Sequence, residues 1–132
     1  AVLIAAGKAL EEEDRYAEAV EHYERALQKQ PGHLEAMGRL ARLRAACPAD
    51  GVRDGQQALK WAKRAIELTG QADFGMLDVL SMAHAEQGDF GSAERFALEA
   101  VEQAKKAEQF DVVTQIANRA KLYQSETPFR LD

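Results

Sequence analysis

An all-α fold of stacked antiparallel helical hairpins is what this sequence predicts, and three observations predict it. Apolar residues recur at spacings of three and four along almost the whole chain, with no strand-like alternation. A set of small and large residues returns in register: Ala19, Tyr23 and Ala26 are followed 39 residues later by Ala58, Ala62 and Ala65, and 35 residues after those by Ala93, Ala97 and Ala100. Turn formers punctuate the pattern as Pro31-Gly32, Gly70 and Gly88-Asp89. Residues this small at helical spacing let two backbones approach closely, so the repeat implies tightly crossed helix pairs.

Taken in order, seven helices are expected. The first runs from Ala1 to about Glu13, and Asp14-Arg15-Tyr16 turns the chain. The second, about Ala17 to Lys29, places Ala19, Val20, Tyr23, Ala26 and Leu27 on one face and Glu18, Glu21, Glu24, Arg25 and Lys29 on the other. Pro31 and Gly32 end it, because Pro cannot continue a helix and Gly relieves the backbone. Helix three spans about His33 to Ala46 and meets Cys47-Pro48-Ala49-Asp50-Gly51, a cluster no helix tolerates. Ala41 and Ala58 lie 17 apart where Gly7 and Ala19 lie 12 apart, so the five extra residues form a longer loop, about Cys47 to Arg53. Asp54 is placed to cap helix four, which Gly70 closes. Helices five and six follow over about Asp73–Gln87 and Ser92–Lys106, joined by the tight turn Gly88-Asp89-Phe90. The seventh, about Gln109 to Gln124, has one apolar face and no partner after it; Ser125 to Pro128 break it and leave a short tail.

With these residues in view, Leu3, Ala6, Gly7 and Leu10, then Ala19, Tyr23, Ala26 and Pro31, resemble a tetratricopeptide repeat (TPR). Its first-helix signature returns as Met37, Leu40 and Ala41, and again as Leu77, Leu80 and Ser81. The resemblance implies a TPR-type helical solenoid forming a single domain over 1–132: repeats at 1–33, 34–73 and 74–109, a capping helix at 110–124 and a tail at 125–132. A terminal helix that covers the open apolar end is what such stacks require. The segments around Cys47-Pro48, Ala65 to Gly70 and Pro128-Phe129-Arg130 also resemble C-terminal TPR segments of larger bacterial proteins, some of them membrane-anchored.

In TPR stacks the first helices line a concave groove. The resemblance implies that Ile4 and Lys8, then Glu35, Arg39 and Arg42, then Asp78 and Met82, then Thr114, Gln115 and Asn118 face it. Lys8, Arg39 and Arg42 would form a cationic cluster suited to acidic side chains of a partner; the bland alternative is solvated surface charge. The chaperone-binding TPR subclass grips a carboxylate with Lys and Asn on the first helix and Asn on the third. Ile4, Lys8 and Arg39 stand at those places here, which speaks against that specificity.

Composition narrows the function classes. The 132 residues carry a net charge of −5 with 30% charged residues, which argues against a general nucleic-acid or anionic-membrane binder. Cys47 is the only cysteine, so no internal disulfide and no cysteine-based zinc site can form, and with no adjacent base in sequence it is a poor nucleophile. The three His are scattered, with Glu18 and His22 the only i, i+4 pair, so no metal or cofactor is expected. His22, Trp61 and Phe96 occupy equivalent places on the second helices and read as packing between repeats, the alternative being an exposed aromatic strip for another protein. No apolar run spans a bilayer, and no signal peptide is visible. The chain begins within a helical pattern and is expected to be a fragment of a longer protein, whose compartment, periplasm or cytoplasm, stays open. The expectation is a non-enzymatic interaction module that binds a peptide or protein partner, with or without acidic segments, in its concave groove or along its helical edges. Two alternatives stand beside it: an accessory domain of a larger membrane-anchored enzyme such as a glycosyltransferase-like protein, and a structural subunit of an assembly.

Overall fold

The computed structural model describes residues 2–132 and contains seven helices: α1 Val2–Glu12, α2 Tyr16–Lys29, α3 Leu34–Ala46, α4 Gly55–Thr69, α5 Phe74–Glu86, α6 Phe90–Lys106 and α7 Phe110–Gln124. Among the described residues there is no strand. Consecutive helices pack as hairpins, α1 on α2, α3 on α4, α5 on α6 and α6 on α7, while α3 on α5, α2 on α3 and α4 on α5 join one hairpin to the next. This is the all-α stack of helical hairpins that the repeat spacing predicts.

The small residues do what their spacing implies. Ala19, Ala58 and Ala93 are fully buried, as are Ala62 and Ala97. At the first hairpin the small residue is Gly7, with Tyr23 from α2 laid against it: a Cβ built at Gly7 would sit 2.5 Å from Tyr23 Cε1 and 2.8 Å from Cζ. The tyrosine ring thus fills the space that Gly7 leaves, and its hydroxyl donates to the Glu11 carboxylate.

One backbone device closes four helices. Asp14, Gly88, Glu108 and Glu126 take φ of 59°, 81°, 58° and 54°. The next N–H then reaches back to a last-turn carbonyl, as in Arg15 to Leu10 (2.8 Å), Asp89 to His84 (2.9 Å), Gln109 to Ala104 (2.9 Å) and Thr127 to Leu122 (2.9 Å). Only Gly88 among these four signals left-handed backbone from its chemistry. Helix starts are capped by side chains that accept a backbone N–H: His33 from Ala36, Asp54 from Gln57, Asp73 from Met76 and Asp89 from Ser92. Because Asp89 is the cap, α6 starts at Phe90, inside the expected turn.

The longest connection is the one expected, residues 47–54 between α3 and α4. Arg44 Nη1 donates to Val52 O (3.0 Å) and Arg53 Nη1 to Cys47 O (2.6 Å), so two guanidinium groups take up loop carbonyls that no helix satisfies. Arg53 also faces Glu86 at the end of α5, at 3.4 Å. Helix α5 is enclosed nearly all round, with Leu77, Val79, Leu80, Met82, Ala83 and Ala85 buried, because α3, α4 and α6 all pack on it.

The tail is not loose. After Glu126 turns the chain, Pro128 to Leu131 lie half-buried across the first-helix face. Leu131 N–H donates to Ala46 O at the end of α3 (2.8 Å), and Arg130 Nη1 lies 2.9 Å from Glu86 Oε1.

Candidate functional site

The first helices α1, α3 and α7 together line an open cavity of about 750 Å³, with Lys8, Glu11 and Glu12 on one wall, Arg39 and Arg42 on the floor, and Gln115 and Arg119 opposite. Tyr16 and the tail residues Phe129, Leu131 and Asp132 complete its rim. Helical spacing accounts for the walls: Lys8 with Glu11 and Glu12, and Gln115 with Arg119, are three or four apart and share a face.

Three of the site residues expected from sequence meet here. Lys8, Arg39 and Arg42 line the same cavity, but they are not equally free. Lys8 Nζ lies 2.7 Å from Glu35 Oε2, and Arg39 reaches the same carboxylate oxygen at 3.4 Å and Glu11 Oε2 also at 3.4 Å. The Lys8 hydrogen bond, with Arg39 adding to it, holds the Glu35 carboxyl below its ordinary range. Among the described residues Arg42 has no ion pair within bonding distance and is exposed, which leaves it as the cation best placed for an incoming group.

The other expected residues are placed differently. Ile4 is not on the groove surface; it is 4% exposed and packs with Ala19, Val20 and Tyr23, because α1 turns that face onto α2. Met82 is likewise withdrawn, at 2% exposure, among Ala45, Ala46, Ala58 and Ala83, with Phe129 and Leu131 of the tail against the same cluster. Asp78 is buried and held by Arg119 Nη2 at 2.9 Å, so it is not an open groove carboxylate. Burial pushes the Asp78 carboxyl above its ordinary range, with Arg119 and Arg42 pulling the other way. Asn118 is exposed on α7, while its neighbours Gln115 and Arg119 line the cavity.

Sequence reasoning missed Arg119 and the tail. The Arg119 guanidinium, itself paired to Asp78, carries the Phe129 ring 4.6 Å above it. A signal was present: Phe129 and Leu131 flank Arg130, and two apolar residues two apart in a non-helical segment point to one side.

Of the aromatic trio on the second helices, Trp61 and Phe96 are partly buried against the apolar clusters, whereas His22 bonds to its own helix. Trp61 sits between the two largest apolar clusters, and Phe96 stacks on His84 with centroids 5.3 Å apart. His22 Nδ1 is 2.8 Å from Glu18 O, within its own helix. Cys47 is buried, and burial raises its thiol above the ordinary value, so it stays protonated near neutral pH. Among the described residues no three His, Cys, Asp or Glu side chains are grouped to hold a metal, and no helix is long and apolar enough to cross a membrane.

Repeated helical hairpins whose first helices share a groove define the class: a helical-repeat solenoid. Residues 1–43, which hold α1, α2 and most of α3, match the tetratricopeptide repeat family. That match and the all-helical architecture, with the same small-residue register carried through α6, support a TPR-type protein. TPR repeats are generally protein-interaction modules, and the family is typically non-catalytic. No curated protein and no solved structure matches this chain.

Proposed function

We propose that this chain is a non-catalytic binding module that takes a peptide or partner-protein segment into the groove between α1, α3 and α7. The partner presents an acidic side chain to the cationic floor. The observation that carries this reading is the cavity itself: Lys8, Arg39 and Arg42 line it, and Arg42 is exposed without an ion pair among the described residues. Glu35 and Glu11 hold Lys8 and Arg39 in place and offset their two charges, so Arg42 is the cation that an incoming carboxylate meets. In a protein of net charge −5, such a patch also orients acidic segments before contact.

Selecting a random dodecapeptide display library on the immobilised chain tests this. Peptides bearing Asp or Glu should be enriched, and the double variant Arg39→Ala with Arg42→Ala should weaken them by roughly tenfold, mainly through the on-rate and with a flatter salt dependence. Enriched peptides that bind the double variant with unchanged affinity and salt response would place the interface elsewhere.

A further inference from the structure

The groove is already partly occupied by the chain's own tail, and the way the tail is held describes a ligand. Phe129 lies on the Arg119 guanidinium, Arg130 pairs with Glu86 at 2.9 Å, and the Leu131 N–H donates to Ala46 O at 2.8 Å. Asp132 lines the cavity together with Lys8, Arg39 and Arg42. That is an aromatic anchor, a basic residue read by a carboxylate, an aliphatic anchor with a main-chain bond, and an acid on the cavity lining. A bound peptide uses the same kinds of contact.

The polar attachment is also light. Residues 128–131 remain half-exposed, and among the described residues a single main-chain hydrogen bond joins them to the helices they lie on. Glu86 keeps Arg53 as a partner at 3.4 Å when Arg130 leaves, and Arg119 keeps Asp78. Releasing the tail therefore strands no buried charge.

We propose that residues 127–132 are a built-in occupant of the groove. The partner is then an extended protein segment carrying aromatic, basic, aliphatic and acidic side chains in succession, and it binds by displacing the tail. This rests on the groove reading above. A tethered segment faces its site at an effective concentration on the order of millimolar, so a free segment making the same contacts competes at a disadvantage. Its apparent affinity falls in proportion to the fraction of open grooves.

The probe is the fluorescein-labelled octapeptide Ser-Glu-Thr-Pro-Phe-Arg-Leu-Asp, titrated by anisotropy into the full chain and into its Phe129→Ala, Leu131→Ala double variant. The double variant should bind it at least roughly tenfold more tightly than the unaltered chain does. A peptide with Glu in place of Arg should lose that gain. Equal binding to both proteins, or none to either, would overturn the proposal. Amide exchange of Leu131 in the unaltered chain guards against a variant that fails to fold: its N–H should exchange roughly tenfold or more slowly than in the free octapeptide, and an equal rate would overturn tail docking. Sedimentation should show a monomer; a dimer that the tail substitutions dissociate would seat the tail in a second copy and overturn the intramolecular arrangement. The two readings fail separately. Octapeptide binding that needs the opened groove but ignores Arg39→Ala with Arg42→Ala supports the tail proposal and removes the acid-reading floor. Acidic library peptides that depend on those arginines and bind the unaltered and opened chains alike do the reverse.

Discussion

The two ends of the groove are built from the same kind of helix face and have opposite character. At the α1 and α3 end the charges meet in water: the Lys8 and Glu35 side chains are each more than two fifths exposed, and the cavity stands open. At the α5 and α7 end Asp78 and Arg119 form a pair with both side chains about nine-tenths buried, roofed by Phe129. The contrast teaches that position in the repeat assigns a residue to the groove face, whereas exposure depends on what lies across that face. The tail roofs one end, whereas at the other it only reaches the rim of the open cavity.

The sharpest way to break this comparison is to remove one charge at each end. Asp78→Ala leaves Arg119 buried without its partner and should cost about 3–5 kcal/mol in urea unfolding. Arg119→Met should cost less, since Asp78 is already biased by burial toward its neutral form and can take up a proton. A carboxyl raised in the folded state contributes stability that is present below its unfolded value of 3.8 and lost as pH rises through the folded value. The Arg119→Met deficit should therefore shrink on acidification; a deficit that grows would mean that Asp78 stays charged.

Openness at the α1 end belongs to the surface, not to the packing beneath it. Gly7→Ala should destabilise by about 1–3 kcal/mol, because the new Cβ would lie 2.5 Å from a fully buried tyrosine ring that cannot swing away. Gly38→Ala, where the nearest atom is Met76 Cε at 3.4 Å, should lose far less. Equal losses would mean that Tyr23 shifts freely.

Behind the closed end, His84 gives a smaller and pH-dependent effect. Burial against Phe96 lowers its imidazole below the ordinary 6.5, with Lys63 and Arg95 adding to this and Asp89 opposing it. As pH falls below 6.5 the unfolded chain takes up that proton first, so stability drops until the folded value is passed. His84→Phe should remove this loss between pH 7.5 and 5.5 in thermal melts; an unchanged slope would assign it to other groups. The smallest effect is expected at the open end, where Lys8→Ala or Glu35→Ala should leave the melting temperature within experimental scatter. A clear drop would show that this pair is not the solvated contact described.

Much of this architecture was legible in the residues. Ala19, Ala58 and Ala93 recur because every hairpin needs a close crossing, and such a need is local and periodic, so it leaves a register in the chain. The loop at 47–54 was legible through Pro48 and Gly51, whereas the expectation that Lys8, Arg39 and Arg42 share a groove came from the resemblance to TPR stacks. Which groove residues stay accessible was decided only in three dimensions. Ile4 and Met82 have the spacing of groove residues, yet the angle at which α1 meets α2 and the cover laid over α5 withdraw them. The tail's course was equally hidden, because it depends on Glu126 adopting a left-handed turn at φ 54° and on contacts made far along the sequence, to Ala46 and Glu86. Periodicity records which way a side chain faces along its own helix; what comes to rest against that face is set by long-range packing that no local pattern encodes.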